Sequence, residues 1–207
     1  MAQTRGYTVD DKEFWEELYL SGKTPWDLGK PAPPLVTFLS SPYAVPPGRM
    51  AVLGCGNGHE CLMFAKAGFE VTGVDFSTNA VRSTTGKFHQ AGLLGTKGYL
   101  LERDLFQMHE YDRYYDYVLE HCTFCAIEPS RRQTYAWTVK DLLKPGGKFI
   151  ALWWLMPDRK GGPPFAVHKD EIFEVFDKLF KIEIAYQPQD SIKERQGQEY
   201  LTVMSLR

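Results

Sequence analysis

The sequence predicts an α/β fold: a doubly wound, mostly parallel sheet of seven strands with the last strand antiparallel, preceded by a helical N-terminal segment. Three observations carry this. After residue 48 short apolar runs alternate with helix-like segments, the order that builds a largely parallel sheet. A glycine loop, Gly54-x-Gly56-x-Gly58, separates the first apolar run from the first following helix. The last two apolar runs follow one another without the long crossover helix of the earlier units and read as a hairpin-like pair.

The elements follow in order. Phe14, Trp15, Leu18 and Tyr19 fall at i, i+1, i+4 and i+5, an aromatic stripe on one helix face. A turn-rich segment, residues 22–29, carries Trp26, and residues 33–40 read as helix. The first strand is placed at 50–53, and a helix at 59–67 is ended by Gly68. The second strand, 70–74, leads into Asp75, and Ser77 is the N-cap of a helix running towards Gln90. Strands are placed at 98–103 and 114–119, a helix at 130–143, a turn at 144–147 and a strand at 148–154. A Gly/Pro-rich loop, 157–165, precedes a helix bearing Ile172, Phe173, Val175, Phe176 and Leu179. The terminal strands lie at 180–186 and 199–206. No linker divides the chain, so residues 1–207 are read as one domain, with 1–47 an N-terminal covering segment and 48–207 the core.

Composition narrows the function. Hydrophobic residues at 43% and charged residues at 24% are ordinary globular values. A net charge of -2 speaks against a nucleic-acid or membrane-surface partner, and no apolar run approaches the ~20 residues that span a bilayer. The N-terminus lacks the apolar core of a secretory signal, which makes the cytoplasm the simplest address. A small molecule is the expected partner, with no obligate protein partner evident. Cys122 and Cys125 have a spacing that suits a metal or redox pair, but a second paired motif is missing, so the four cysteines are read as small thiols and no metal site is assigned.

The glycine loop carries the chemistry. It ends a strand and opens a helix, where a doubly wound sheet binds adenosine-containing ligands. Asp75 lies 21 residues after Gly54, at the end of the second strand, where a carboxylate can accept hydrogen bonds from both ribose hydroxyls. A nicotinamide dinucleotide fingerprint needs a third glycine at position 59, which is His59. The tighter loop present here is the kind found in S-adenosylmethionine enzymes, whose ligand carries no phosphate. Asp104 and Leu105, after the third strand, are placed to meet an adenine amino group and ring face. Arg131 and Arg132 open a helix, and a solvated face is preferred for both over an anion site. Trp153 and Trp154 end the fifth strand and Phe165 follows the Gly/Pro loop; core packing and substrate contact both remain open for them.

Several stretches together are more specific than the loop. FWEELYLSGKTPWDLG at 14–29, FCAIEPS at 124–130, LLKPG at 142–146 and GGPPF at 161–165, with the Gly54 loop and Asp75, make the chain resemble the thiopurine S-methyltransferase family, especially its thiol and halide methyltransferase branch. The first and last stretches are the most diagnostic. The resemblance implies a Rossmann-like fold, S-adenosyl-L-methionine as cofactor, and methyl transfer to a thiol, sulfide, halide or thiocyanate. Alternatives are a methyltransferase of the same fold acting on a metalloid, a thiopurine or another small molecule, or a non-catalytic sensor of the cofactor.

By motif position the resemblance implies that Trp15, Tyr19 and Trp26 cover the cofactor and that Gly54, Asp75, Asp104, Leu105 and His121 touch it. Tyr19 stands where the family often has tryptophan, and His121 where it has arginine or tyrosine. His121 is also the candidate catalytic group on the substrate side, because an imidazole titrates near neutrality and a thiol needs to lose a proton. The displacement itself asks mainly for collinear placement of the reacting atoms and exclusion of water, which an aromatic cover supplies.

Overall fold

The computed structural model describes residues 6–207. A seven-stranded sheet forms its centre: β1 (Arg49–Leu53), β2 (Glu70–Asp75), β3 (Gly98–Glu102), β4 (Tyr115–His121), β5 (Leu143–Trp154), β6 (Phe180–Tyr186) and β7 (Glu199–Leu206). The strand order is β3-β2-β1-β4-β5-β7-β6. β1 to β5 pair in parallel, and β7 runs antiparallel to both β5 and β6. The order reverses between β1 and β4, which opens a crevice at the carboxyl ends of the strands.

Alternation along the strands makes two cores. Met50 and Val52 of β1 join Val71, Leu119, Ile150, Leu152 and Val203 on one face. Ala51 and Leu53 join Val74, Val118, Phe149, Ala151 and Trp153 on the other. The first face is covered by α2 (Pro33–Leu39), α3 (His59–Lys66) and α4 (Thr78–Gln90), through Leu35, Phe38, Phe64 and Phe88. The second is covered by α5 (Arg132–Leu142) and α6 (Lys169–Phe176), through Tyr135, Val139, Ile172 and Phe176. Both faces of the parallel strands are therefore buried, as an α/β sheet requires.

Local signals fix the elements that frame the crevice. Ser77 caps α4, its hydroxyl accepting the Ala80 N–H at 3.2 Å. β5 begins at Leu143, earlier than the turn predicted at 144–147. Leu143 pairs with Tyr115, the register then shifts, and Gly146 with φ of 80° takes up the irregularity inside the strand. α1 (Lys12–Leu20) buries only Leu18 and lies over the N-terminal end of α4. Among the described residues, no helix is long and apolar enough to cross a membrane.

A buried arginine corrects one sequence expectation. Arg132 is 2% exposed and does not lie on a solvated face. Its guanidinium sits 4.6 Å over the Phe124 ring and pairs with Glu171 of α6, fastening α5 to α6. Its aliphatic stem fills core space, while an adjacent acid on another helix, which no local pattern reports, offsets the charge.

Candidate functional site

The crevice holds a cavity with about 1060 Å³ of space between atoms, part of it open to solvent. Its wall is assembled from the ends of β1, β2 and β4, the loops after β3 and β5, and the N-terminal segment. Trp15, Tyr19, Trp26, Gly54, Asp75, Asp104, Leu105 and His121, all predicted from the sequence, line this one cavity.

The floor is set by β1 and β2. Gly54 has φ of +59°, and a Cβ there would come 2.5 Å from the Thr123 hydroxyl oxygen, so both conformation and space demand glycine. That hydroxyl donates to the Leu53 carbonyl at 2.7 Å, tying the loop after β4 to the end of β1. Asp75 is buried, and its two oxygens accept the Gly56 N–H at 2.8 Å and the Ser77 N–H at 2.9 Å. Burial pushes its carboxyl up to about 6, against those backbone N–H groups and with a further push from Glu16. A buried, incompletely neutralised acid facing a cavity is poised to accept hydrogen bonds from hydroxyl donors.

An aromatic roof closes the cavity. Trp15 and Trp26 meet edge to face with centroids 5.7 Å apart, and Tyr19 meets Trp26 at 5.8 Å. The Tyr19 hydroxyl stays protonated, since burial and then Asp75 raise its pKa. Polar ties hold this roof down. Glu16 accepts from the N–H of Thr78 and the amide of Asn79 at the start of α4, a position that favours an acid. Lys12 pairs with Glu102, and Asp27 takes His59 at 2.9 Å and the Asn57 amide. Neither Glu16 nor Asp27 was singled out in the sequence, although both lie within the stretch 14–29.

Towards β4 the wall becomes an ordered polar network. His121 Nδ1 lies 3.2 Å from a Glu60 carboxylate oxygen, and its Nε2 lies 3.2 Å from an Arg195 nitrogen. Glu60 draws a proton onto the ring and Arg195 repels one. Desolvation on its own would lower the ring's pKa, but the Cys122 sulfur and Glu60 outweigh it and hold the imidazole well above its usual value, with Nδ1–H donating to Glu60. Burial alone would raise the Glu60 carboxyl, but His121 and the Ala32 N–H more than offset it and hold it below the usual carboxylate range. Arg195, 2% exposed, also donates to the Trp26 carbonyl at 2.9 Å and the Cys122 sulfur at 3.2 Å, and lies 4.1 Å over the Trp154 ring. The next turn is pinned by Glu120, whose carboxylate accepts the N–H groups of Thr123 and Phe124 and the Tyr135 hydroxyl. Cys122 itself has φ of 63°, a left-handed conformation that these contacts sustain.

The two tryptophans at the end of β5 separate. Trp153 is buried in the core with its indole N–H on Thr202, whereas Trp154 lines the cavity. Pro163 and Pro164 reach the cavity, but Phe165 is absent from its wall and donates its N–H to the Cys125 carbonyl at 2.7 Å. All four cysteines are free thiols, and among the described residues no group of His, Cys, Asp and Glu could hold a metal ion. Arg195, Glu60 and Glu120 went unseen in the sequence, because each is tied to the site by at least one partner that only tertiary packing brings close: Tyr135 for Glu120, His121 for Glu60, and His121 and Trp26 for Arg195.

The thiopurine S-methyltransferase family model matches residues 10–207. A probable thiol methyltransferase of Arabidopsis thaliana is 37% identical over 166 residues, covering 80% of this chain and 72% of the relative. Thiocyanate methyltransferase 1 of Brassica oleracea is 33% identical, covering 90% and 82%. Among solved structures, the magnesium protoporphyrin IX methyltransferase of Synechocystis PCC 6803 with bound S-adenosylmethionine superposes with a TM-score of 0.67 at 16% identity, covering 99% of this chain and 88% of that one, a likeness of fold. With the family model spanning almost every residue, the chain belongs to the thiopurine S-methyltransferase family.

Proposed function

We propose that the chain is an S-adenosylmethionine-dependent methyltransferase acting on a small, soft nucleophile such as a thiol, sulfide, halide or thiocyanate. The single observation that carries this reading is the buried Asp75 carboxylate, clamped by two backbone N–H groups and facing a cavity roofed by Trp15, Tyr19 and Trp26. The family relationship and the names of the relatives support it. The four free thiols suit a reducing compartment, the cytoplasm being the simplest.

The residues present fit this cofactor. Asp75 would receive the ribose hydroxyls, and Asp104, with one oxygen taken by the Phe106 N–H at 2.9 Å, keeps acceptor capacity for an adenine amino group. Leu105 would cover the adenine face. Gly56 leaves room beneath Tyr19, since a Cβ there would stand 3.2 Å from the Tyr19 hydroxyl. When bound, the cofactor supplies an electrophilic methyl group on a sulfonium. The roof excludes water and offers aromatic faces to that positive charge, worth about 0.5–2 kcal/mol. His121, engaged at both ring nitrogens, would shape the wall beside the reacting centre as a positioning residue. A halide or thiocyanate arrives ionised, and a thiol sheds its proton to solvent before attack.

The test is release of S-adenosylhomocysteine with sulfide, small thiols, aromatic thiols, iodide and thiocyanate, with methylated products measured in the headspace. Turnover of thiols or halides supports the reading. Tight cofactor binding without turnover of any member of the panel would overturn the soft-nucleophile assignment.

A further inference from the structure

We infer that Arg131 determines acceptor specificity, and that the acceptors it selects are short thiols bearing a second, anionic group such as a carboxylate or sulfonate. The inference rests on the methyltransferase reading above and narrows its substrate class.

The cavity has two halves. The carboxyl ends of β1 and β2 and the loop after β3 bound the half assigned to the cofactor. The rest of the wall comes from the loops after β4 and β5 and from the chain before α1. It is largely apolar, with Val9, Cys125, Ala126, Ile127, Trp154 and Pro163 on it. His121 has both nitrogens engaged inside the wall. Arg103 follows β3 on the cofactor side and is occupied by Glu110 and the Gln107 carbonyl. That leaves Arg131, which follows β4 and rests on Phe106 where the two halves meet, as the guanidinium open to an acceptor.

Arg131 is held but not satisfied. Its guanidinium carbon lies over Phe106, 3.8 Å from the ring centroid, a cation–π contact that limits where the group can move. Its ionic partner is Asp10, which also lines the cavity. The two side chains are 33% and 46% exposed, so the pair is weak and readily exchanged. A guanidinium fork takes a carboxylate through two parallel hydrogen bonds. An incoming carboxylate therefore has a preset partner at the mouth, and Asp10 is the internal anion it displaces.

The division of the wall then orients the acceptor. The anionic group stays at the half-exposed mouth on Arg131, and the sulfur end enters the apolar interior. The thiol proton leaves to water, and a sulfur lone pair forms the new bond to the methyl carbon. The carbon–sulfonium bond breaks, and its electron pair remains on the cofactor sulfur. A sulfonium and a thiolate become two neutral thioethers, and the carboxylate on Arg131 is unchanged.

The experiment compares kcat/KM for mercaptoacetate and for ethanethiol, which is of similar size but lacks the charge. It uses the wild-type protein, Arg131→Met, Arg131→Lys and Asp10→Asn, with S-adenosylmethionine binding measured on each to show that the variant is folded. Arg131→Met is expected to lower the ratio of the two kcat/KM values about tenfold or more, mainly through KM for mercaptoacetate. Arg131→Lys should restore part of the ratio, and Asp10→Asn should raise it above wild type. An unchanged ratio in Arg131→Met, or one that Asp10→Asn lowers, overturns the inference while ethanethiol turnover leaves the methyltransferase reading intact. Turnover of neither thiol by the wild-type protein overturns the underlying reading, and this one with it.

Discussion

The pKa of Asp75 makes cofactor affinity depend on acidity in a defined window. Burial raises this carboxyl from 3.8 to about 6 in the ligand-free protein. Ribose hydroxyls donate to the ionised form, so binding selects the carboxylate. At pH 7.5 about 97% of the groups are ionised and at pH 5 about 9%, so apparent affinity should fall roughly tenfold between them, close to 1.4 kcal/mol. Stability runs the other way. A folded pKa above the unfolded value means that the contribution is fully present below about 3.8 and lost as the pH rises through about 6, a swing on the order of 3 kcal/mol. The cofactor relieves this cost by supplying donors, so binding near pH 6 should release a proton. Calorimetry across pH 5–7.5, in buffers of different ionisation enthalpy, measures both quantities. Asp75→Asn is the control. Its amide cannot accept from both Gly56 and Ser77, so affinity should drop about 10–100-fold and its pH dependence in this window should vanish. A wild-type affinity that is flat over the window, or an Asp75→Asn protein with the same acid loss, would refute the reasoning and assign the titration to another group.

Three further outcomes follow from the same geometry. Gly54→Ala should cost roughly 2–3 kcal/mol, because the new Cβ meets Thr123 and the φ is left-handed, and should lower Tm by about 4–12 °C; an unchanged melting curve would contradict the packing described. Trp15→Leu should weaken S-adenosylmethionine more than S-adenosylhomocysteine, by about 2–30-fold, because only the former carries the sulfonium charge; equal losses in fluorescence or calorimetric titrations would remove the aromatic–sulfonium contact. His121→Gln should reduce turnover of a thiol and of iodide by similar factors if the ring positions the wall, whereas a loss confined to the thiol would establish it as a base.

What the sequence made legible was local. Glycine spacing, the acid ending β2 and the Ser77 cap are each set by residues within a few positions, so the sheet edge that carries the cavity was readable in advance. The fate of Trp153 and Trp154 was readable in principle, since neighbouring strand residues face opposite sides of the sheet and Phe149 and Ala151 share Trp153's face. Arg132 was misjudged because its environment is made by Glu171 and Phe124, which only tertiary packing brings close. Arg195 is the extreme case. It lies in a polar stretch with nothing to mark it, yet it reaches His121, Cys122, Trp154 and the Trp26 carbonyl.

That reach of Arg195 has a consequence for the order in which the molecule can be made. The hydrogen bond to the Trp26 carbonyl joins positions 169 residues apart. Arg195 itself is fixed beside Glu199, the first residue of β7, the strand that inserts between β5 and β6 and follows every other element in the sequence. During synthesis on the ribosome the nucleotide-type half, β1 to β3, can fold early, while the edge of β5 stays uncovered until β7 emerges. The roof over the cavity thus acquires this anchor only after the other strands of the sheet have emerged. Nascent chains would bind the cofactor loosely before that point, and lesions in the final strand should be felt at the first helix.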